Sequence, residues 1–459
     1  MVGPTRWLRS IGLAVTFASL VTLTAQAQTV EVEASLLERL QQLIENQQEQ
    51  LEEQSGQLKS QAETIEALKA RVDQLEQASD ETRSIASEAQ STAEEAADTA
   101  EKTAAGQLPD TVVTSGSDKI KLAISGHINR AVNIADDGDD TKAYFVDNDT
   151  SNSRIRFVGT GQATQDTTLG STLELAFSPN NSFDVSQDNE SANDFIDVRK
   201  AEAFVRDDRY GQLLFGKGQA AADDTAEYDL SLVAGPIMYS GIADIAGGLQ
   251  FVADGELTGV TVGDAFFNFD GNRQDRIRYD TPLFGPGVQL SVSAGDDQRY
   301  DAAVTWGGDY GAWSGVEVGP FTTLGALSIQ DPSAPGVDWR LAGSFSALHN
   351  PTGLSLTLSG GLDELGGGGD NPYNLYGKLA WDTSFFQFGQ TGFGVDVTHG
   401  ENVSAEGDEG LGVGLAAIQL IEDFGIELYA QVRIYDLDRD TGDSVDEIVV
   451  GTVGTRVKF

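Results

Sequence analysis

Thr452-Val453-Gly454-Thr455-Arg456-Val457-Lys458-Phe459 is the stretch that decides the fold class. In an extended strand successive side chains point to opposite faces, so Val453, Thr455, Val457 and Phe459 share one face and Thr452, Gly454, Arg456 and Lys458 the other. An apolar row ending in an aromatic, set against a polar row, is the pattern of a strand with lipid on one side and an aqueous lumen on the other. Phe459, the last residue, is accordingly the candidate outer-membrane assembly signal.

The same period of two recurs upstream. Sixteen candidate strands are counted between Lys119 and Phe459, at about 119–135, 152–161, 167–178, 195–207, 211–219, 272–281, 287–296, 299–308, 315–331, 337–348, 353–362, 372–383, 386–399, 410–422, 424–437 and 446–459. An even number is what a bacterial single-chain barrel requires. The intervals 136–151, 179–194, 220–271, 296–298, 332–336, 363–371, 400–409 and 438–445 alternate with tighter turns such as Asp207–Gly211, His349–Gly353 and Glu422–Gly425. Longer loops at one end and short turns at the other point to a transmembrane barrel. The predicted fold class is therefore mainly β: a 16-stranded antiparallel transmembrane β-barrel over 119–459, joined to an N-terminal α-helical coiled coil.

That N-terminal part divides by composition. Arg6 and Arg9, the apolar run Ile11 to Thr24 and the small-x-small triplet Ala25-Gln26-Ala27 form a secretory signal peptide over 1–27. The apolar run falls short of the roughly 20 residues that span a bilayer as a helix. Over 28–105 a heptad places Leu37, Ile44, Leu51, Leu58, Ile65 and Val72 at a, with Leu40, Gln47, Gln54, Gln61, Leu68 and Leu75 at d. Such a seam buries only against other helices, and no second heptad segment exists in the chain, so self-association is expected. About 70 helical residues at 1.5 Å each make a rod of roughly 100 Å, a length suited to the periplasm. Gly106 and Pro109 open a linker over 106–118.

Composition narrows function. The 459 residues include 52 Gly and no Cys, which removes disulfides and thiolate chemistry, and His127, His349 and His399 are the only imidazoles. A formal charge of −43 argues against nucleic acid as a partner, because phosphate binding needs a basic surface. Ser125 beside His127 is what strand spacing produces anyway, so no catalytic site is assigned and the chain is not read as an enzyme. The run Asp136-Asp137-Gly138-Asp139-Asp140 lacks EF-hand spacing and reads as a solvated external loop. No cofactor or metal is expected.

The interval 220–271 is too long for a simple hairpin and is expected to fold into the lumen. It carries Asp223, Asp224, Glu227 and Asp229 as acidic constriction candidates, followed by Asp244, Asp254 and Glu256. Arg154 and Arg156 alternate with Ile155 and Phe157, and Arg276 and Arg278 with Ile277 and Tyr279. These arginines, with Arg199, are the pore-lining basic candidates, because a charge on the lipid face at mid-membrane costs roughly 2–4 kcal/mol. Acidic loop against basic wall would set a transverse field. One segment resists this scheme: Asp197, Arg199 and Ala201 alternate with Val198, Lys200 and Glu202, which puts charge on both faces. A subunit interface or a shifted register would each account for it.

The signal peptide, the heptad segment, Arg199-Lys200-Ala201-Glu202-Ala203-Phe204-Val205 through Tyr210-Gly211-Gln212-Leu213-Leu214-Phe215-Gly216-Lys217-Gly218, then Thr225-Ala226-Glu227-Tyr228-Asp229-Leu230-Ser231 and Phe459 together resemble the DcaP-type trimeric outer-membrane porins. The resemblance spans nearly the whole mature chain, and 199–231 is its most specific part. It implies a homotrimer of sixteen-stranded barrels in the bacterial outer membrane, an inward third loop, and uptake of small, often anionic solutes such as dicarboxylates. The expected function is passive diffusion of small hydrophilic solutes, with outer-membrane lipid as surroundings and the coiled coil in the periplasm. The alternative is a structural tether in which the rod links the outer membrane to the cell wall.

Overall fold

Strands of this chain alternate large apolar residues with small or polar ones, and the two sets go to opposite sides of one sheet. The computed structural model describes residues 113–114 and 119–459, apart from 193–195, 286, 297–298, 311–319 and 443. The signal peptide, the coiled coil and nearly all of the linker lie outside the described residues.

Sixteen strands form the wall: β1 Ile120–Asp136, β2 Arg154–Gln162, β3 Thr167–Ala176, β4 Asp197–Asp207, β5 Gly211–Gln219, β6 Arg273–Asp280, β7 Val288–Gly295, β8 Tyr300–Tyr310, β9 Phe321–Gln330, β10 Val337–His349, β11 Leu354–Leu365, β12 Tyr373–Phe386, β13 Gly389–Glu401, β14 Glu409–Ile421, β15 Ile426–Asp438 and β16 Ile448–Lys458. Each pairs antiparallel with its neighbours in sequence, and β1 closes the ring. Its first half pairs with β2, Ile120 opposite Gly161 through His127 opposite Arg154. Its second half pairs with β16, His127 opposite Lys458 through Asp136 opposite Val449. Phe459 completes that seam by exchanging two backbone hydrogen bonds with Gly126, of 2.8 and 2.9 Å. The Phe459 ring lies over Gly126, where any Cβ would collide with it.

The two faces are chemically distinct. On β16 Val453 is 66% exposed and Thr452, its neighbour, 1%. Ile277, Leu379, Leu415 and Val432 likewise stand on the outside, while Lys378, Arg433 and Arg456 are buried within. A closed sheet with this apolar exterior satisfies every wall peptide internally, the condition for residence in hydrocarbon.

Turns at the Phe459 end are tight. In His349–Gly353 the chain reverses at Gly353 with φ +70, where a Cβ would also meet the Asp382 carbonyl oxygen, so glycine is required. The opposite end departs from the expected loop map in one place. Within the interval 136–151, Thr141–Asp147 pairs with Arg130–Asp136 of β1, so much of that expected loop is a strand extending the wall above β2. Strand β9 is described from Phe321; the expected start near 315 lies outside the described residues.

The two-face rule predicts a cost for charge on the outside. Val453→Arg, at the middle of β16, lowers the unfolding free energy in a lipid bilayer by about 2–4 kcal/mol, read by urea titration of tryptophan fluorescence.

Candidate functional site

The connection between β5 and β6 runs inside the barrel. It is built from short 3-10 turns, Leu232–Ala234 and Ile242–Ile245, a hairpin pairing Gln250–Ala253 with Glu256–Thr261, and a single helical turn, Val262–Ala265. Thr261 caps that turn reciprocally with Asp264. Its large apolar side chains, among them Ile237, Met238, Ile242, Phe251 and Phe266, are wholly buried in one cluster with Tyr376, Ile418, Tyr429, Tyr435 and Val450 of the wall. Each such burial is worth about 1.5–3 kcal/mol. Side chains of the wall also grip the loop's carbonyls: Tyr435 Oη donates to Ile242 O at 2.6 Å, Lys378 Nζ to Met238 O at 2.8 Å and Asn133 Nδ2 to Ile245 O at 2.7 Å. The loop is thereby laid against the β12–β16 side and β1.

A cavity of about 590 Å³ remains between the loop and the β2–β6 side. From the wall it is lined by Arg154, Arg156, Arg199, Lys200 and Arg273, and from the loop by Asp223, Asp224, Glu227, Asp244 and Asp270. Glu174 of β3 organises the basic side. Its fully buried carboxylate takes Arg156 Nε at 2.5 Å, Arg199 Nε at 2.8 Å and Arg154 Nη1 at 3.7 Å, so three cations surround one anion. The conflict of parity in β4 has a specific cause. Glu174 pairs with Lys200 but Leu175 with Val198, so Arg199 is the extra residue of a β-bulge and both Arg199 and Lys200 reach the cavity. Val198 still faces outward.

The nine charged candidates divide six to three. Arg154, Arg156 and Arg199 meet Asp223, Asp224 and Glu227 across the cavity, whereas Arg276, Arg278 and Asp229 do not border it. The Arg276 side chain, 1% exposed, binds Glu202 at 2.6 Å and the carbonyls of Gln219 and Gly216. Arg278 binds Asp280 of its own strand and, where the loop leaves β5, the Ala220 carbonyl. Asp229 pairs with buried Lys378 at 2.5 Å. These three hold the loop's ends and face. Glu174, Lys200, Arg273 and Asp270 were not among the candidates, whereas Asp244, one of the further acids of the interval, does line the cavity. Glu174 had a signal in the alternation Leu173-Glu174-Leu175, which turns a lone carboxylate inward; Asp270 had none, because irregular loops carry no period.

His127 Nε2 lies 2.9 Å from the Asn152 carbonyl oxygen, 3.2 Å from that of Ser151 and 3.4 Å from the Ser151 hydroxyl. In Asp136–Asp140, Asp137 Oδ1 accepts from the backbone N–H of Asp139 and Asp140, and Oδ2 from Gln187. These carboxylates are spent on their own turn.

Within the loop, burial and the adjacent Asp224 push the Asp223 carboxyl up to about 7, and burial and Asp149 push Asp244 up to about 8. Burial and neighbouring carboxylates also hold Glu227 and Asp270 well above the ordinary range. Below these values the acids are protonated and neutral; above them they add negative charge.

With the fold and cavity described, the class is defined: the chain has the fold of the sixteen-stranded outer-membrane porins. An anion-selective porin from Comamonas acidovorans is 13% identical and superposes with a TM-score of 0.51 over 74% of this chain and 100% of its own. The outer-membrane channel DcaP of Acinetobacter baumannii is 11% identical, with a TM-score of 0.44 over 75% of this chain and 99% of its own. A loop L8 deletion mutant of OmpT, an outer membrane protein of Vibrio cholerae, is 13% identical with a TM-score of 0.49 over 74% and 100%. The fold assignment rests on the first of these. No protein-family model matches the chain, and no curated protein does.

Two outcomes follow. As pH rises through about 7 and about 8, ionisation of Asp223 and Asp244 shifts the zero-current potential in a salt gradient toward cations, and acidification shifts it toward anions. Arg276→Ala strands the buried Glu202 carboxylate and destabilises the barrel by about 3–5 kcal/mol, while Arg156→Ala leaves Glu174 its other two partners and folds normally; denaturant titration separates them.

Proposed function

We propose that the protein is an outer-membrane diffusion channel, not an enzyme, through which small hydrophilic solutes, anions among them, pass a constriction bearing a transverse charge field. The observation that carries this reading is the arrangement of the inner loop. Packed on one wall, it leaves toward the other a cavity with guanidinium groups on the wall side and acidic side chains on the loop side. In such a gap, flanked by low-dielectric protein, opposed rows of fixed charge act more strongly on a solute than they would in bulk water. Three arginines around one buried glutamate leave excess positive charge on the wall. That excess supports anion uptake, in keeping with the similarity to the anion-selective porin from Comamonas acidovorans.

The proposed assembly is a homotrimer, with the coiled coil of 28–105 in the periplasm and Phe459 as the assembly signal. The seam between Phe459 and Gly126 gives that residue a part in closing the barrel, which supports the assignment.

Purified protein in planar bilayers is expected to conduct in three equal steps. Replacing Arg156 and Arg199 together by Gln is expected to move the zero-current potential toward cations. Folded, inserted protein that stays silent would overturn the channel reading.

A further inference from the structure

We infer that the constriction selects small zwitterions, solutes carrying one carboxylate and one ammonium group a few bonds apart, over neutral isomers and over simple anions of the same size. This rests on the channel reading above and names its solute class.

Five basic and seven acidic side chains line the cavity: Asp149 and Glu174 lie outside the loop, and Asp223, Asp224, Glu227, Asp244 and Asp270 lie on it. A lone carboxylate attracted to the arginines enters against Asp224, joined by Asp223 and Asp244 as pH rises through about 7 and about 8, and a lone ammonium meets the converse. A solute with both charges gains on both sides. Opposite charges about 4 Å apart in water attract by an amount equivalent to roughly fivefold in occupancy, and like charges repel equally.

The opposed charges are also kept from neutralising each other. Lys200 Nζ donates to Gln219 Oε1 at 2.6 Å, and the Gln219 amide donates in turn to Asp224, so a neutral side chain stands between that cation and that anion. Arg273 Nε and Asp223 Oδ2 approach to 3.9 Å, yet neither buried atom has a hydrogen-bond partner. Arg156 is the most open of the guanidinium groups that hold Glu174, with 43% of its side chain exposed. On the other side Asp224 adopts φ +70, a conformation that Asp tolerates better than most residues, and its backbone N–H is fixed by Asp270 Oδ2 at 2.7 Å. Arg156 is thus the carboxylate contact and Asp224 the ammonium contact.

The test is uptake by proteoliposomes, with the membrane potential clamped, of radiolabelled alanine, lactamide and lactate. They share a three-carbon skeleton and differ in charge: zwitterion, uncharged isomer and anion. Alanine, with a favourable contact on each side, is expected to enter up to about 25-fold faster than lactamide and ahead of lactate. Asp224→Asn is expected to bring lactate level with or ahead of alanine, and Arg156→Gln to cut the lead of alanine over lactamide to about fivefold and to drop lactate below lactamide. Equal entry of all three into wild-type vesicles, or lactate leading there, overturns the inference while leaving a working channel. Entry of none overturns the channel reading with it.

Discussion

A wall in hydrocarbon can leave no peptide N–H or C=O unpaired, and the rest of this molecule depends on how that requirement is met. An open sheet would expose two edges, so the strands must return on themselves. Strand β1 performs the return by serving two partners, β2 along its first half and β16 along its second. Pairing alone does not finish the seam. Gly126 and Phe459 add the last pair of hydrogen bonds, and the missing Cβ at Gly126 gives the terminal ring its place.

Closure creates a second problem, because a barrel of this size has a lumen that its own side chains do not fill. The inner loop answers it by bringing its own apolar core. That is why the lumen face of β12 to β16 carries Tyr376, Ile418, Tyr429, Tyr435 and Val450 in addition to charge. An asymmetric plug leaves an asymmetric opening, and the charged side chains of β2 to β6 inherit the water. On the proposed channel reading, selectivity follows from which wall the loop occupies.

Much of this was legible in the sequence, for reasons that differ by residue. Strand alternation is local and survives any loop arrangement, so Gly211–Gln219 was delimited to the residue and the facing of Arg154, Arg156 and Arg456 could be read directly. The β4 conflict was visible too, as charge on both faces, but its resolution was not. A bulge is defined against a partner strand, and only the pairing of Glu174 with Lys200 and Leu175 with Val198 exposes Arg199 as the extra residue. Thr141–Asp147 was hidden by its acidic, turn-like flanks. Asp270 belongs to a segment whose backbone follows its packing against the wall, and nothing periodic marks it.

The arginines separate by what they do for the fold. Arg276, paired with Glu202 and capping two carbonyls, has almost no surface, and a pair so enclosed is retained because removing either half leaves the other stranded. Arg154, Arg156 and Arg199 share a single carboxylate, so their charge is not cancelled within the wall. Sharing holds the guanidinium groups rigidly while leaving net positive charge toward water. The same chemistry that reads as a stability device at Glu202 therefore reads as a solute contact at Glu174, and the difference lies in stoichiometry rather than in residue type.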